Sequence, residues 1–185
     1  SAALAGLGQT LSAVTSAREA ARVIVDVADN LLGWDACILQ LYSPMDDQVT
    51  PLICMDLVNG QRIEVDRTGV VSGPPSPIVR RTLSQGAHLI LRSPDGTADT
   101  SAETTEADQV RLRTFGDRER RSASLMFVPI RGPGASIGVF SIQSYSPNAY
   151  DQSDLDFLQA LADHCSGALE RVRAEEALRE SETRF

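Results

Sequence analysis

The stretch from Ser124 to the end of the chain restricts the possible folds more than any other. Ser124 to Ile130 (SLMFVPI) is apolar, β-prone and too short for a helix of its own. Arg131 to Ala135 (RGPGA) must turn, because proline fixes φ and glycine permits φ > 0. Ser136 to Ser144 (SIGVFSIQS) returns as the partner strand. Pro147 stops that strand, Asp151 or Ser153 can cap the next element, and apolar residues then recur at helical spacing from Leu155 onward. A hairpin that feeds one long exit helix suits a module that passes a signal onward, and no catalytic constellation stands in it.

Upstream the pattern alternates between helix and strand. Leu4, Leu7, Leu11 and Val14 fall at spacings of 3, 4 and 3, a narrow seam for packing on another helix. Ser16-x-x-Glu19 is a capping box that starts a second helix, which runs to about Leu32 and ends at Gly33. Strands are expected over Ala36 to Ser43, Val49 to Asp56 (with Pro51 marking an edge or bulge), Gln61 to Asp66 and Ala87 to Arg92. A short helix over about Ile78 to Gln85 follows a cluster of prolines. The prediction is an α/β chain of the α+β type: a central antiparallel sheet of five or six strands, helices on both faces, and the N- and C-terminal helices packed together. Residues 93–108 hold five acidic and no basic residues among many Ser, Thr and Ala, and are expected to be mobile, with a lid over a pocket as the sharper alternative. Arg111, Arg113, Arg118, Arg120 and Arg121 follow as a run, to be read as a solvated face, an anion-binding patch or partners of the acidic loop.

Several of these segments resemble one family, the GAF domain. The resemblance rests on Val128-Pro129-Ile130, on the IGVFSIQS of Ile137 to Ser144, and on Y-x3-D-L-x2-L-x2-LA from Tyr150 to Ala162, with Tyr150 where the family usually has Phe. Ser16 to Leu32, followed by Gly33-Trp34-Asp35 and a strand, is similar to the family's opening helix and first strand. The last residues, from Leu178, resemble the opening of a PAS domain. The expected organisation is an N-terminal linker or dimer helix over 1–15, a GAF-like sensor over 16–170, and an exit helix over 171–185 leading toward a PAS-like domain and an output domain.

Strand alternation separates two faces. Cys37, Leu39 and Leu41 in the first strand, and Gly138, Phe140 and Ile142 in the last, form an apolar face under the terminal helices. The opposite face is mixed, with Leu89 and Leu91 divided from His88, Ile90 and Arg92 in the same way. The resemblance implies that ligands sit on the mixed face, under the short helix and loop near Ile78 to Arg92. Gln40, Tyr42, His88, Ser141 and Gln143 are therefore the ligand-binding candidates; the plainer alternative is that each merely faces water.

Neither His88 nor His164 has a second ligand at metal spacing, so no metal and no cofactor is expected. Cys37, Cys54 and Cys165 are odd in number, widely spaced, and read as small core residues in a reducing, cytoplasmic setting. Bilin-binding relatives attach chromophore through a cysteine after the fourth strand, and methionine-sulfoxide reductases of the same fold place cysteines before the fifth. Residues 83–123 contain none. The Asn-Lys-Phe-Asp-Glu set of cyclic-nucleotide binders cannot be assigned, because all 17 basic residues are arginine. No enzyme activity is expected. A net charge of −8 argues against nucleic acid, and no apolar run is long enough for this segment to contact a membrane by spanning it.

Two functions are implied by the resemblance. One is a small-molecule sensor in a signal-transduction protein of the sensor histidine kinase (two-component) or cyclic-dinucleotide enzyme type, relaying the state of an unidentified ligand through its terminal helices. The other is a ligand-free structural dimerisation module in the same kind of protein. In either case a homodimer is expected through Leu4, Leu7, Leu11 and Val14 of the first helix with Leu169 and Val172 of the exit helix, whose seam slips phase near Glu175 and Glu176.

Overall fold

The computed structural model describes residues 2–65, 72–93, 98–99 and 121–184. Most of the acidic segment, together with Arg111, Arg113, Arg118 and Arg120, lies outside the described residues. The helices are α1 (Ala2–Ala5), α2 (Leu7–Ser12), α3 (Ala17–Leu31), α4 (Pro77–Gln85) and α5 (Gln152–Thr183). The strands are β1 (Ala36–Ser43), β2 (Gln48–Val58), β3 (Gln61–Glu64), β4 (His88–Arg92), β5 (Ala98–Asp99), β6 (Ser124–Arg131) and β7 (Ser136–Ser144). They form one sheet in the order β3-β2-β1-β7-β6-β4-β5, and each described pairing is antiparallel. Six strands have four or more residues and β5 has two, so the expected antiparallel α+β architecture is what the chain adopts.

The local signals act much as their chemistry requires. Ser16 Oγ accepts from the Glu19 N–H at 3.1 Å, satisfying an otherwise unpaired amide in the first turn of α3. The Glu19 carboxylate reaches one residue further back than a standard capping box, accepting from the Thr15 N–H at 3.0 Å. Gly33 (φ 75°) ends α3, and Trp34 folds back so that its indole N–H donates to the Val25 carbonyl at 2.8 Å. Asp151 and Asp154 cap α5 reciprocally, each side chain accepting from the other's N–H. In β2 the ladder slips opposite Leu39 and Gln40, so Pro51 stands beside a bulge.

The principal core lies between the sheet and the terminal helices. Cys37, Leu39, Leu41, Met126, Val128, Ile130, Phe140 and Ile142 face Ala20, Ala21, Ile24, Leu155, Leu158 and Leu161. Alanines on α3 let it lie close to α5, and each fully buried Leu or Ile contributes about 1.5–3 kcal/mol. Tyr150, just before α5, donates to the Gly33 carbonyl at the end of α3, whereas Glu176, late in α5, accepts from the Ala17 N–H at the start of α3. The two helices are therefore antiparallel.

The residues read as dimer contacts are packed within the single chain. Leu7, Leu11, Leu169 and Val172 are 3%, 2%, 1% and 0% exposed within a single chain, and Leu4 and Val14 pack partly buried against the same cluster. The physical reason is that α2 folds onto α5, so the two seams meet each other. Glu175 and Glu176, where the seam slips, are polar ties: Arg171 donates to Glu175 (3.1 Å) and to the Leu11 carbonyl (3.0 Å), and Glu176 takes the Ala17 amide. The exit helix is thus supported well past Cys165. Only residues 177–183, about 10 Å of helix, are exposed throughout.

Candidate functional site

Cross-strand register defines the other face residue by residue. One row runs Cys54–Ile38–Ser141–Phe127–His88, and the next runs Ala36–Gln143–Leu125–Ile90. Under α4 this face is filled: Ile78 and Val79, with Leu83 beside them, pack on Ile90, Leu125, Phe127 and Val139, next to Val49 and Tyr42. Among the described residues, an open space lies at the end of the sheet.

There a chain of hydrogen bonds converges. Arg92 Nη1 donates to the Ser122 carbonyl at 2.9 Å, and Ser122 Oγ donates to Gln143 Oε1 at 2.8 Å. Gln143 Nε2 donates to Ser141 Oγ at 3.4 Å. Beside them the Tyr145 hydroxyl donates to Asp56 Oδ1 at 2.5 Å, and the Tyr145 N–H to Asp35 Oδ2 at 2.8 Å. A cavity of about 320 Å³ opens onto this end of the face, lined by Arg92, Ser93, Arg121, Ser122, Ala123, Tyr145 and Pro147. Its volume is at the lower end of the range for small-molecule sites.

Of the five candidates from sequence, the structure joins Ser141 and Gln143 directly, both buried. His88 shares the Ser141 row with Phe127 between them, two strand spacings away. Burial outweighs its other interactions and holds its imidazole below the usual histidine range. Gln40 is buried on β1, diagonal to Ser141. Tyr42 belongs to another cluster, at the opposite end of the strand: its hydroxyl donates to Asp47 at 2.9 Å, and Asp47 also pairs with Arg80. Sequence reasoning did not select Arg92, Arg121, Ser122 and Tyr145. Arg92 shares the parity of His88 and Ile90, which was the available signal. Tyr145 lies one residue past the end of β7, and Arg121 was submerged in a run of arginines.

All three thiols are free and buried, and none lines the cavity. Burial pushes Cys165 up to about 12; burial, then the Asp56 and Glu64 charges, does the same for Cys54. Cys37 is raised further, by burial first and then by Cys54. Thiolate, the reactive form, is correspondingly scarce. Alkylation by iodoacetamide at about pH 8 should proceed on the native chain about three orders of magnitude more slowly than on the chain in denaturant. Mass spectrometry of the quenched samples measures this, and native labelling of any one cysteine at the denatured rate would refute it. Among the described residues, no three His, Cys, Asp or Glu side chains group so as to hold a metal ion. Nor is any helix among them long and apolar enough to cross a membrane.

The family model described as GAF domain matches residues 14–170. No curated protein matches the sequence. Among solved structures, the GAF domain of a phosphoenolpyruvate-protein phosphotransferase from Coxiella burnetii superposes with a TM-score of 0.65 at 16% identity, covering 95% of each chain. A segment of a methyl-accepting chemotaxis protein gives 0.62 at 16% identity, covering 94% of this chain and 99% of that one. Free methionine-R-sulfoxide reductase from Neisseria meningitidis, in complex with its substrate, gives 0.60 at 18% identity, covering 92% and 88%.

Proposed function

Because the chain belongs to the GAF domain family, we propose that it is a regulatory sensor domain of a signal-transduction protein, taking a small molecule at the Arg92–Ser122–Tyr145 end of its mixed face. The observation that carries this reading is a cavity lined by Arg92, Ser122 and Tyr145, behind which the hydrogen bonds of Ser122 continue to the buried Gln143 and Ser141. Buried polar groups are costly unless satisfied, and a set arranged around empty space is suited to a ligand.

The same strands supply a route for the output. In β7, Ser141 and Gln143 serve the polar face while Phe140 and Ile142, alternating with them, pack toward α5. In β6, Leu125 and Phe127 alternate with Met126 and Val128 in the same way. A shift of either strand on ligand binding therefore moves the packing beneath α5. Arg131 to Asp163, and Gln159 to the Pro129 carbonyl, add polar ties between hairpin and helix. A ligand biases α5 only as far as it prefers one strand position over another.

We read the activity as binding without catalysis, since the thiols are dispersed and buried, and the setting as cytoplasmic, since they are unpaired. A sensor histidine kinase or cyclic-dinucleotide enzyme, reached through a PAS-like segment, suits the exit helix. Association into a homodimer would use the far end of α5, where Leu178 is 61% exposed. A ligand-free structural module is the second reading, favoured by the apolar filling under α4.

Native mass spectrometry of the purified chain, followed by a metabolite thermal-shift screen, separates the two. The sensor reading expects a non-covalent adduct or a saturable rise in melting temperature that is lost in Ser122→Ala with Gln143→Leu. Absence of both signals, with the wild-type chain folded, would leave the structural module.

A further inference from the structure

The cavity carries a charge preference that the sensor reading does not specify. Its described lining contains two guanidinium groups, Arg92 and Arg121, and no carboxylate. The carboxylates beside it, Asp56 and Asp35, accept from the hydroxyl and the N–H of Tyr145. Arg92 is 7% exposed, and its Nη1 is fixed on the Ser122 carbonyl. Arg121 has its Nε buried with no hydrogen-bond partner. A desolvated guanidinium N–H without an acceptor is unfavourable, and Nε together with an Nη forms the fork that carboxylates and phosphates engage with two parallel hydrogen bonds. In a chain of net charge −8, such a cavity is a local exception to a surface that repels anions.

We infer that the ligand is a small organic anion, a carboxylate or phosphate ester, whose oxygens meet the Arg121 guanidinium at the cavity wall. This rests on the reading of the cavity as the ligand site. The volume of about 320 Å³ corresponds to roughly ten water molecules, which suits a compact anion of about ten heavy atoms rather than a tetrapyrrole. The Ser122 hydroxyl and the ring of Tyr145 then flank the ligand. Gln143, held by Ser122, sits behind it on the strand that also packs toward α5.

The test is isothermal titration of the whole chain with three probes: succinate, inorganic phosphate and the uncharged succinamide. The expected result is saturable binding of succinate or phosphate, weakened by added sodium chloride, with no binding of succinamide. Arg121→Gln should lower the affinity about tenfold or more, because a charge-assisted hydrogen-bonded pair is lost. Arg121→Lys keeps the charge without the fork and should fall between; if the Gln variant fails to fold, the Lys variant decides. Failure of both anions to bind wild type, or wild-type affinity in the Arg121 variants, would overturn the inference. Binding of succinamide alone would reject the anion while keeping the cavity as a ligand site. No binding by any probe, with no adduct in native mass spectrometry, would remove the sensor reading as well.

Discussion

Leu169→Glu combined with Val172→Glu should unfold the chain, whatever its state of association. Both side chains are almost wholly buried among Leu7, Leu11 and Cys165, where α2 closes over α5. Removing a buried Leu costs about 2–5 kcal/mol and a buried Val somewhat less. A carboxylate in their place must either ionise without a partner or bind a proton at neutral pH, and each route adds several kcal/mol. The sum approaches the whole stability of a typical domain, about 5–15 kcal/mol. Urea titration followed by far-UV circular dichroism and by the fluorescence of Trp34 should show no native baseline. A folded double variant with the wild-type midpoint would show that this cluster is not the core. Leu178→Glu is the matched contrast: at an exposed position it should leave the midpoint unchanged, and it should weaken self-association in sedimentation if the far end of α5 is the dimer contact.

Gly138→Val should be the most damaging single substitution in the sheet. A Cβ at this position would lie well inside van der Waals contact with the Gln40 carbonyl oxygen and 3.3 Å from the Cδ1 of Ile130. The obstacle is backbone, so no rotamer change relieves it; β7 would have to part from β1, the pairing at the centre of the sheet. Overpacking of this kind costs about 3 kcal/mol, and strand separation adds to that. The expected result is a large fall in thermal midpoint for Gly138→Val, a smaller but clear fall for Gly138→Ala, and loss of amide protection in β1 and β7 by hydrogen exchange. Unchanged protection in those strands would refute the assignment. By contrast Gly134, in the hairpin turn at φ 88°, has open space around it and needs glycine only for its backbone angle. Substitution by Ala there should cost about 1 kcal/mol.

The fold was legible in the sequence wherever one side chain meets its own backbone or its own strand's alternation. Ser16 and Asp151 cap the helices that they announce, and the parity of Cys37, Leu39 and Leu41 places the core on the correct face. Two kinds of information were not legible. A heptad-like seam states that a helix packs on something, not on what, so the packing of Leu7 and Leu169 on elements of their own chain could not be read from it. Close approach between β1 and β7 leaves only a glycine as its trace, and Gly138 reads as one more apolar residue in an apolar strand. At the site, Ser141 and Gln143 could be found by alternation. Arg121 and Tyr145 lie beyond strand ends, where alternation stops carrying information.

The antiparallel arrangement of α3 and α5 has a mechanical consequence. The beginning of α3 and the last supported turn of α5 lie side by side, joined by the Glu176–Ala17 bond, with the Arg171–Leu11 bond a little further in. Tension between α2 and the end of α5 would therefore open these two bonds one after the other, as a zipper opens from one end. The long β1–β7 and β6–β7 ladders would stay unloaded. Such a domain yields softly to pulling at a small, local cost and stiffly to anything that must shear its sheet.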